Sequence, residues 1–173
     1  MSKEYYQFEN EKGDVAFLIG LVDAISDRLS LVCDYGYDVE ADIFPLPDND
    51  ISMLSNIVRK RMNLYAEQEG NYNIEKINQI DFKLTQIDHS NVNEYVCSKL
   101  KKYSSGNKIK EEVDHFLALL KFHLDAPIGL YEPVSLQDSN VAVFGEIYLS
   151  FAWDYFFIAY KGYVVLMIFG TSE

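Results

Sequence analysis

Residues 163–170, YVVLMIFG, form an apolar run without a single charged or amide side chain. A strand wetted on one face alternates apolar and polar residues; this one does not, so it is expected to be covered on both faces. Lys161 and Gly162 precede it and supply a tight turn, with the glycine able to take positive φ. No Gly, Pro or Asn punctuates residues 147–160, which predicts one long partner strand running from Ile147 through Trp153 to Tyr160. Its length exceeds the usual strand of about 5–6 residues, and a bulge around Ala152 to Asp154 would reconcile the two. On an unbroken strand Trp153 shares a face with Phe151, Tyr155 and Phe157, which places it in the core.

The preceding two-thirds reads as mostly helical. Val15, Leu18, Ile19, Val22, Ile25, Leu29 and Val32 recur at three- and four-residue steps, predicting a helix over 14–34 with Asp14 as N-cap and Gly36 beyond its end. A second helix is expected to begin near Asp48 to Asp50, after Pro45 and Pro47, and to stop at Gly70, burying Ile51, Leu54, Ile57, Val58, Met62 and Tyr65. Residues 73–88 fit either state: Ile74, Ile77 and Ile80 suit a helix, whereas Phe82 to Thr85 alternate like a strand. Helices at about 91–103 and 108–125 are separated by the loop signal SSGN, and the second is apolar nearly all round, which predicts a central place in the core. The expected fold is therefore α+β: a single domain, 1–173, with helices packed on a small antiparallel sheet built on the C-terminal hairpin.

Charge is the other informative quantity. The chain carries 27 acidic and 15 basic residues, a net −12. Residues 1–50 contain 12 acids against 3 bases, so most of the excess lies in the first third. Such a field repels nucleic acid and anionic membrane surfaces and favours a basic protein partner. The opening MSKEYYQFENEKGD lacks the basic-then-apolar pattern of a signal peptide, and Glu146, Asp154 and Lys161 interrupt the apolar tail before it could span a bilayer. A cytoplasmic protein is expected. Cys33 and Cys97 are too few for a disulfide framework and read as reduced, small apolar residues within helices.

The acids concentrate in residues 34–50, DYGYDVEADIFPLPDND, where Asp34, Asp38, Glu40, Asp42, Asp48 and Asp50 occur without a base. Tyr37, Val39, Ala41 and Ile43 alternate with Asp38, Glu40 and Asp42, so an edge strand would carry three carboxylates in a row on one face. Two explanations stand side by side. The row could dock against Lys and Arg of a partner, with Tyr35 and Tyr37 as neighbouring hot-spot residues. It could equally keep an exposed sheet edge soluble. Calcium binding is disfavoured, because Ile43 stands where a calcium loop needs Gly and Asn49 where it needs the closing Glu. The candidate partner-binding set is Asp34, Tyr35, Tyr37, Asp38, Glu40, Asp42, Asp48 and Asp50.

Other constellations have plainer readings. Arg59, Lys60 and Arg61 span most of a helix circumference and suit a solvated face with ion pairs to Glu67 or to the acidic N-terminal half. His115 and His123 are eight apart on one helix, not at the four-residue spacing of two metal ligands, and with His89 read as core or boundary histidines. There is no Gly-x-Ser-x-Gly, phosphate loop or CxxC pair, so no enzyme, cofactor or metal is expected.

The closing stretch GEIYLSFAWDYFFIAYKGYVVLMIFGTSE combines a Trp-Asp-aromatic strand, a hairpin and a Gly-x-x-Glu tail. In these features it resembles bacterial immunity proteins of polymorphic-toxin and contact-dependent growth inhibition systems. The resemblance implies a protein that binds a cognate toxin and blocks it sterically, and the acidity makes a basic nuclease domain the natural target. A general interaction module or assembly subunit without a toxin would use the same features, and the hairpin could pair with its own copy in a homodimer. A small enzyme built from distant residues is the third class, marked by a pocket joining His115 or His123 to a buried carboxylate.

Overall fold

A computed structural model describes residues 13–69, 74–79, 82–134 and 154–171. In chain order these form α1 (Gly13–Ser30), β1 (Tyr37–Pro45), 3₁₀ turns at Pro47–Asn49 and Ile51–Met53, and α2 (Leu54–Glu69). Next come α3 (Ile74–Gln79), β2 (Leu84–Ile87), α4 (Val92–Leu100), α5 (Ile109–Leu124), β3 (Gly129–Pro133), β4 (Asp154–Tyr160) and β5 (Tyr163–Thr171). The described strands make one antiparallel sheet in the order β1-β5-β4-β3-β2, an α+β fold as expected.

The hairpin lies at the middle of this sheet. Every residue from Tyr155 to Tyr160 and from Val164 to Phe169 is buried, so over these residues neither face of the hairpin meets water. Alternate side chains feed two separate cores. Phe156, Ile158, Tyr160, Val165, Met167 and Phe169 point to one face, which α1, α4 and α5 cover with Leu18, Val22, Val96, Leu100, Val113, Phe116 and Leu120. Tyr155, Phe157, Ala159, Val164, Leu166 and Ile168 point to the other, covered by Leu54, Ile57, Val58 and Met62 of α2 and Ile77 of α3. At about 25 cal/mol per Å² of apolar surface removed from water, this two-sided burial is the main stabilising term. Lys161 and Gly162 close the hairpin, and Gly162 has φ +80°, where a side chain would be strained. The portion of the long strand expected over 147–153, including Trp153 and most of the suggested bulge, lies outside the described residues.

Local chemistry explains where elements stop. The first helix ends at Ser30 rather than continuing to 34, because the Ser30 hydroxyl turns to the neighbouring strand. It accepts the Val39 N–H and donates to the Val39 carbonyl, both at 2.9 Å. Asp14 lies inside this helix, one residue after its start at Gly13, and so is not its N-cap. The second helix begins at Leu54, later than expected, since Asp48 and Asn49 take left-handed φ of 53° and 56° that no helix tolerates. Ile51, assigned to the buried stripe, is half exposed in a 3₁₀ turn, and the Tyr65 side chain lies outside the described residues. The ambiguous segment 73–88 contains both states in succession, α3 and then β2. β3, which pairs with both β2 and β4, was not anticipated.

The last helix departs most from expectation. α5 buries one stripe, Ile109, Val113, Phe116, Leu120 and Leu124, and exposes Phe122 at 82%, so it is a surface helix rather than a central one. The chain leaves it through Asp125 at φ 66°.

Across the α1 side of the sheet runs a continuous aromatic series. Tyr37 meets Tyr103 at 5.4 Å between ring centroids, Tyr103 stacks on Phe169 at 5.9 Å, and Phe169 on Phe156 at 5.5 Å. Phe156 then receives Tyr95 edge-on at 5.0 Å. Because Phe156 is fully buried between Phe169 and Tyr95, Phe156→Ala is expected to cost about 3–5 kcal/mol of stability in urea titration. A loss below about 1 kcal/mol would show that the site collapses without a cavity.

Candidate protein-binding surface

Residues 34–50 join the end of α1 to the start of α2, and the fold divides their carboxylates between two jobs. Asp34 holds loops together. Its carboxylate accepts the Ser105 N–H at 3.0–3.1 Å and the Ser105 hydroxyl at 2.9 Å, while its own N–H donates to the Tyr103 carbonyl at 2.9 Å. The Ser104 hydroxyl donates to the Val32 carbonyl beside it, so the α1–β1 turn and the α4–α5 loop are cross-linked. Gly36 at φ 89° lets the turn close, and the Tyr37 N–H bonds the Asp34 carbonyl at 3.1 Å. Tyr35 projects fully into solvent from this turn, whereas the Tyr37 ring is half buried against Tyr103.

The alternation along β1 is as the residues suggested. Val39, Ala41 and Ile43 enter the core under α1, and Asp38, Glu40 and Asp42 take the opposite parity, that of Phe44 on the α2 face. β1 is the outermost described strand on its side of the sheet. Its carboxylate row is not left to repel itself. Arg61 of α2 reaches over it, Nη2 donating to Glu40 Oε2 at 2.5 Å and Nε to Asp42 Oδ2 at 2.8 Å. The arginine and Asp42 are each only 11% exposed, and Glu40 is 45% exposed. The basic triplet of α2 thus contributes one residue to the acidic N-terminal half, one of the two pairings its sequence allowed. A guanidinium forked between two carboxylates relieves the like-charge cost at two of three positions in the row. Asp38 remains exposed.

At the far end of β1, roughly 27 Å from Tyr37 at 3.3–3.4 Å per residue, the chain folds onto the hairpin turn. Asn49 Oδ1 accepts the Gly162 N–H at 2.9 Å, and the Leu46 N–H donates to the Gly162 carbonyl at 2.8 Å. Asp50 caps the next turn by accepting the Ser52 N–H at 3.0 Å, while Asp48 stands exposed. The eight candidate residues therefore form no single cluster. Asp34, Tyr35, Tyr37 and Asp38 gather at one end, Asp48 and Asp50 at the other, with Glu40 and Asp42 clamped between.

A second polar cluster escaped the sequence reading. Lys99 of α4, 12% exposed, lies 2.9 Å from Asp154 and 3.5 Å from Glu132, over the Tyr95 ring. Lys102 adds a second cation 3.2 Å from Asp154. Tyr95 donates its hydroxyl to Glu132 at 2.6 Å, and burial first, then this bond and the charges of Glu132 and Asp154, push its pKa far up. The four-residue step from Tyr95 to Lys99 and the lone acid at the head of β4 were the available signals; their meeting depends on how α4 crosses the sheet.

The remaining titratable groups are dispersed. His115 and His123 are exposed on α5, not core or boundary residues, and His123 packs edge-on against Phe17 and Phe122 at 5.2 and 4.9 Å. Among the described residues no group of three or more His, Cys, Asp or Glu could hold a metal ion. No described helix is long and apolar enough to cross a membrane. Cys97 is buried and free, and Cys33, also free, sits just beyond the end of α1 rather than within it. Burial, followed by the charges of Asp38 and Asp34, pushes the Cys33 thiol up to about 11.

No protein-family model matches the chain, and no curated protein matches it. Two crystal structures of citrus MAF1 are similar to it at 12% and 14% sequence identity, with TM-scores of 0.41 and 0.37. They cover 86% and 84% of this chain and 98% and 97% of their own. Likeness of that degree assigns neither a fold family nor a function.

Two measurements check this geometry. Arg61→Leu leaves two carboxylates facing each other without their cation and is expected to cost about 2–4 kcal/mol in urea titration, most of it recovered by adding Glu40→Gln and Asp42→Asn. A cost under about 0.5 kcal/mol would mean the fork contributes nothing. Cys33 is expected to react with iodoacetamide at pH 8 about 100-fold more slowly than an ordinary thiol, since a two-unit rise from 9.0 removes that much thiolate. Because the folded chain holds this proton more tightly, its contribution to stability is complete below pH 9 and is lost as pH rises toward 11.

Proposed function

We propose that the chain is an immunity protein that binds a cognate bacterial toxin domain and blocks it by occupying its surface, with a basic nuclease domain as the target. The observation that carries this is the division of labour in residues 34–50. Arg61 neutralises Glu40 and Asp42, yet Asp38, Asp48 and Asp50 remain exposed along one acidic segment whose backbone is held by the Asp34, Ser30 and Asn49 hydrogen bonds. A net −12 protein that keeps such carboxylates at the two ends of one strand, on a hydrogen-bonded backbone, attracts a basic surface from a distance and offers it little reorganisation on arrival. A nuclease must itself attract phosphate, so its active-site face supplies that basic surface. The resemblance of the C-terminal stretch to immunity proteins points the same way, although the hairpin that carries it is buried and serves as scaffold.

Co-expression with the product of the adjacent gene tests this. The chain is expected to restore growth to cells making that product and to co-purify with it. Replacing Asp38, Asp48 and Asp50 together by Lys is expected to slow association by about 10-fold or more at low salt and to flatten its salt dependence. A partner without toxic activity would remove the immunity role, and an unchanged association rate would remove the acids from the mechanism.

A further inference from the structure

We propose that Leu31 and Tyr35 form a preorganised anchor that inserts into an apolar pocket on the toxin, with basic residues rimming the side of that pocket that meets β1. This deepens the immunity function proposed above and rests on it.

Leu31 is 84% exposed and Tyr35 fully exposed, four residues apart in the connection between α1 and β1. Interface energy concentrates in a few large side chains, tyrosine prominent among them, with neighbouring apolar residues excluding water, and more so when they arrive already positioned. Here the backbone that carries them is held bond by bond. The Leu31, Val32 and Cys33 N–H groups donate to the Arg28, Leu29 and Ser30 carbonyls, so the Leu31 backbone is held in the turn that follows α1. Asp34 ties the turn to Ser105 through both carboxylate oxygens, Ser104 ties Val32, and the Tyr37 ring staples the far side against Tyr103. Asp34 is thus a positioning residue rather than a contact.

Charge orients the anchor. Exposed Asp27 lies on the last turns of α1 and Asp38 at the start of β1, whereas exposed Lys101 and Lys108 belong to the α4–α5 side. The charges that act on the Cys33 thiol at the centre of the turn are those of Asp38 and Asp34, both acidic. The field beside Tyr35 is therefore negative toward β1, and a partner pocket with its basic rim on that side is the complementary one.

Titration calorimetry and binding kinetics with the toxin domain from the adjacent gene test this. Leu31→Ala and Tyr35→Ala are each expected to weaken binding by on the order of 30-fold, mainly through faster dissociation, with the thermal midpoint unchanged because neither side chain lies in the core. Asp34→Ala is expected to weaken binding about 10-fold and Asp34→Asn, which keeps an acceptor for Ser105, only slightly. Asp34→Ala should add no loss in a Leu31→Ala/Tyr35→Ala background, an effect that general destabilisation would not produce. Unchanged affinity in the Leu31→Ala/Tyr35→Ala double variant overturns the anchor and leaves the immunity function standing. A further loss from Asp34→Ala in that background overturns its positioning role. Absence of binding by the unaltered chain overturns both the anchor and the immunity function.

Discussion

A hairpin with no wet face dictates the rest of this molecule. Backbone N–H and C=O groups of a buried strand must be paired within a sheet, so β5 lies between β1 and β4, and β4 between β5 and β3. Its side chains alternate to two faces and both must be covered. One layer of helices cannot do that, and α1, α4 and α5 close one side while α2 and α3 close the other. The acidic strand β1 owes its place to this requirement, since it is the pairing partner that completes the outer side of β5.

Surface chemistry then follows from what each covering helix brings to the rim. α2 carries Arg61 onto the carboxylate row of β1, and α4 carries Lys99 onto Asp154 and Glu132. The aromatic series from Tyr37 through Tyr103, Phe169 and Phe156 to Tyr95 runs across the α1 side of the sheet to the Lys99 cluster, on the face opposite Arg61. Partly buried ion pairs of this kind are weak sources of net stability, because each charge has lost water to be there. Their effect is to fix which face of a helix sits over which strand. The acidic segment between α1 and α2 is accordingly part support and part display: Asp34, Glu40, Asp42 and Asn49 hold structure, Tyr35, Asp38 and Asp48 face solvent, and Asp50 does both, capping a turn while exposed.

Much of this was legible from local pattern. The two-sided hairpin, the turn at Lys161 and Gly162, the alternation from Tyr37 to Ile43 and the helical stripe of Leu18, Val22, Ile25 and Leu29 all depend on periodicities that a strand or helix imposes on its own residues. The misjudged places have a common cause. Ser30 ended a helix early because a strand nine residues on offered its hydroxyl two backbone partners. Ile51 left its stripe because Asp48 and Asn49 went left-handed, a path on which Asn49 meets the Gly162 N–H. Phe122 sits in water because α5 covers only one face of one sheet.

The sequence by itself determined that this chain makes an α+β fold on a dry hairpin, and that its charge excess lies ahead of residue 51. Those follow from hydrophobic periodicity and composition, which are properties of short stretches read one at a time. Only the tertiary structure decided that Arg61 would take up Glu40 and Asp42, that Asp34 would lock two loops, and that Leu31 and Tyr35 would stand free beside them. A side chain's electrostatic partner is set by the crossing of elements far apart in the chain, and the positions that bring Arg61 over β1 exist only once both faces of the hairpin have been covered.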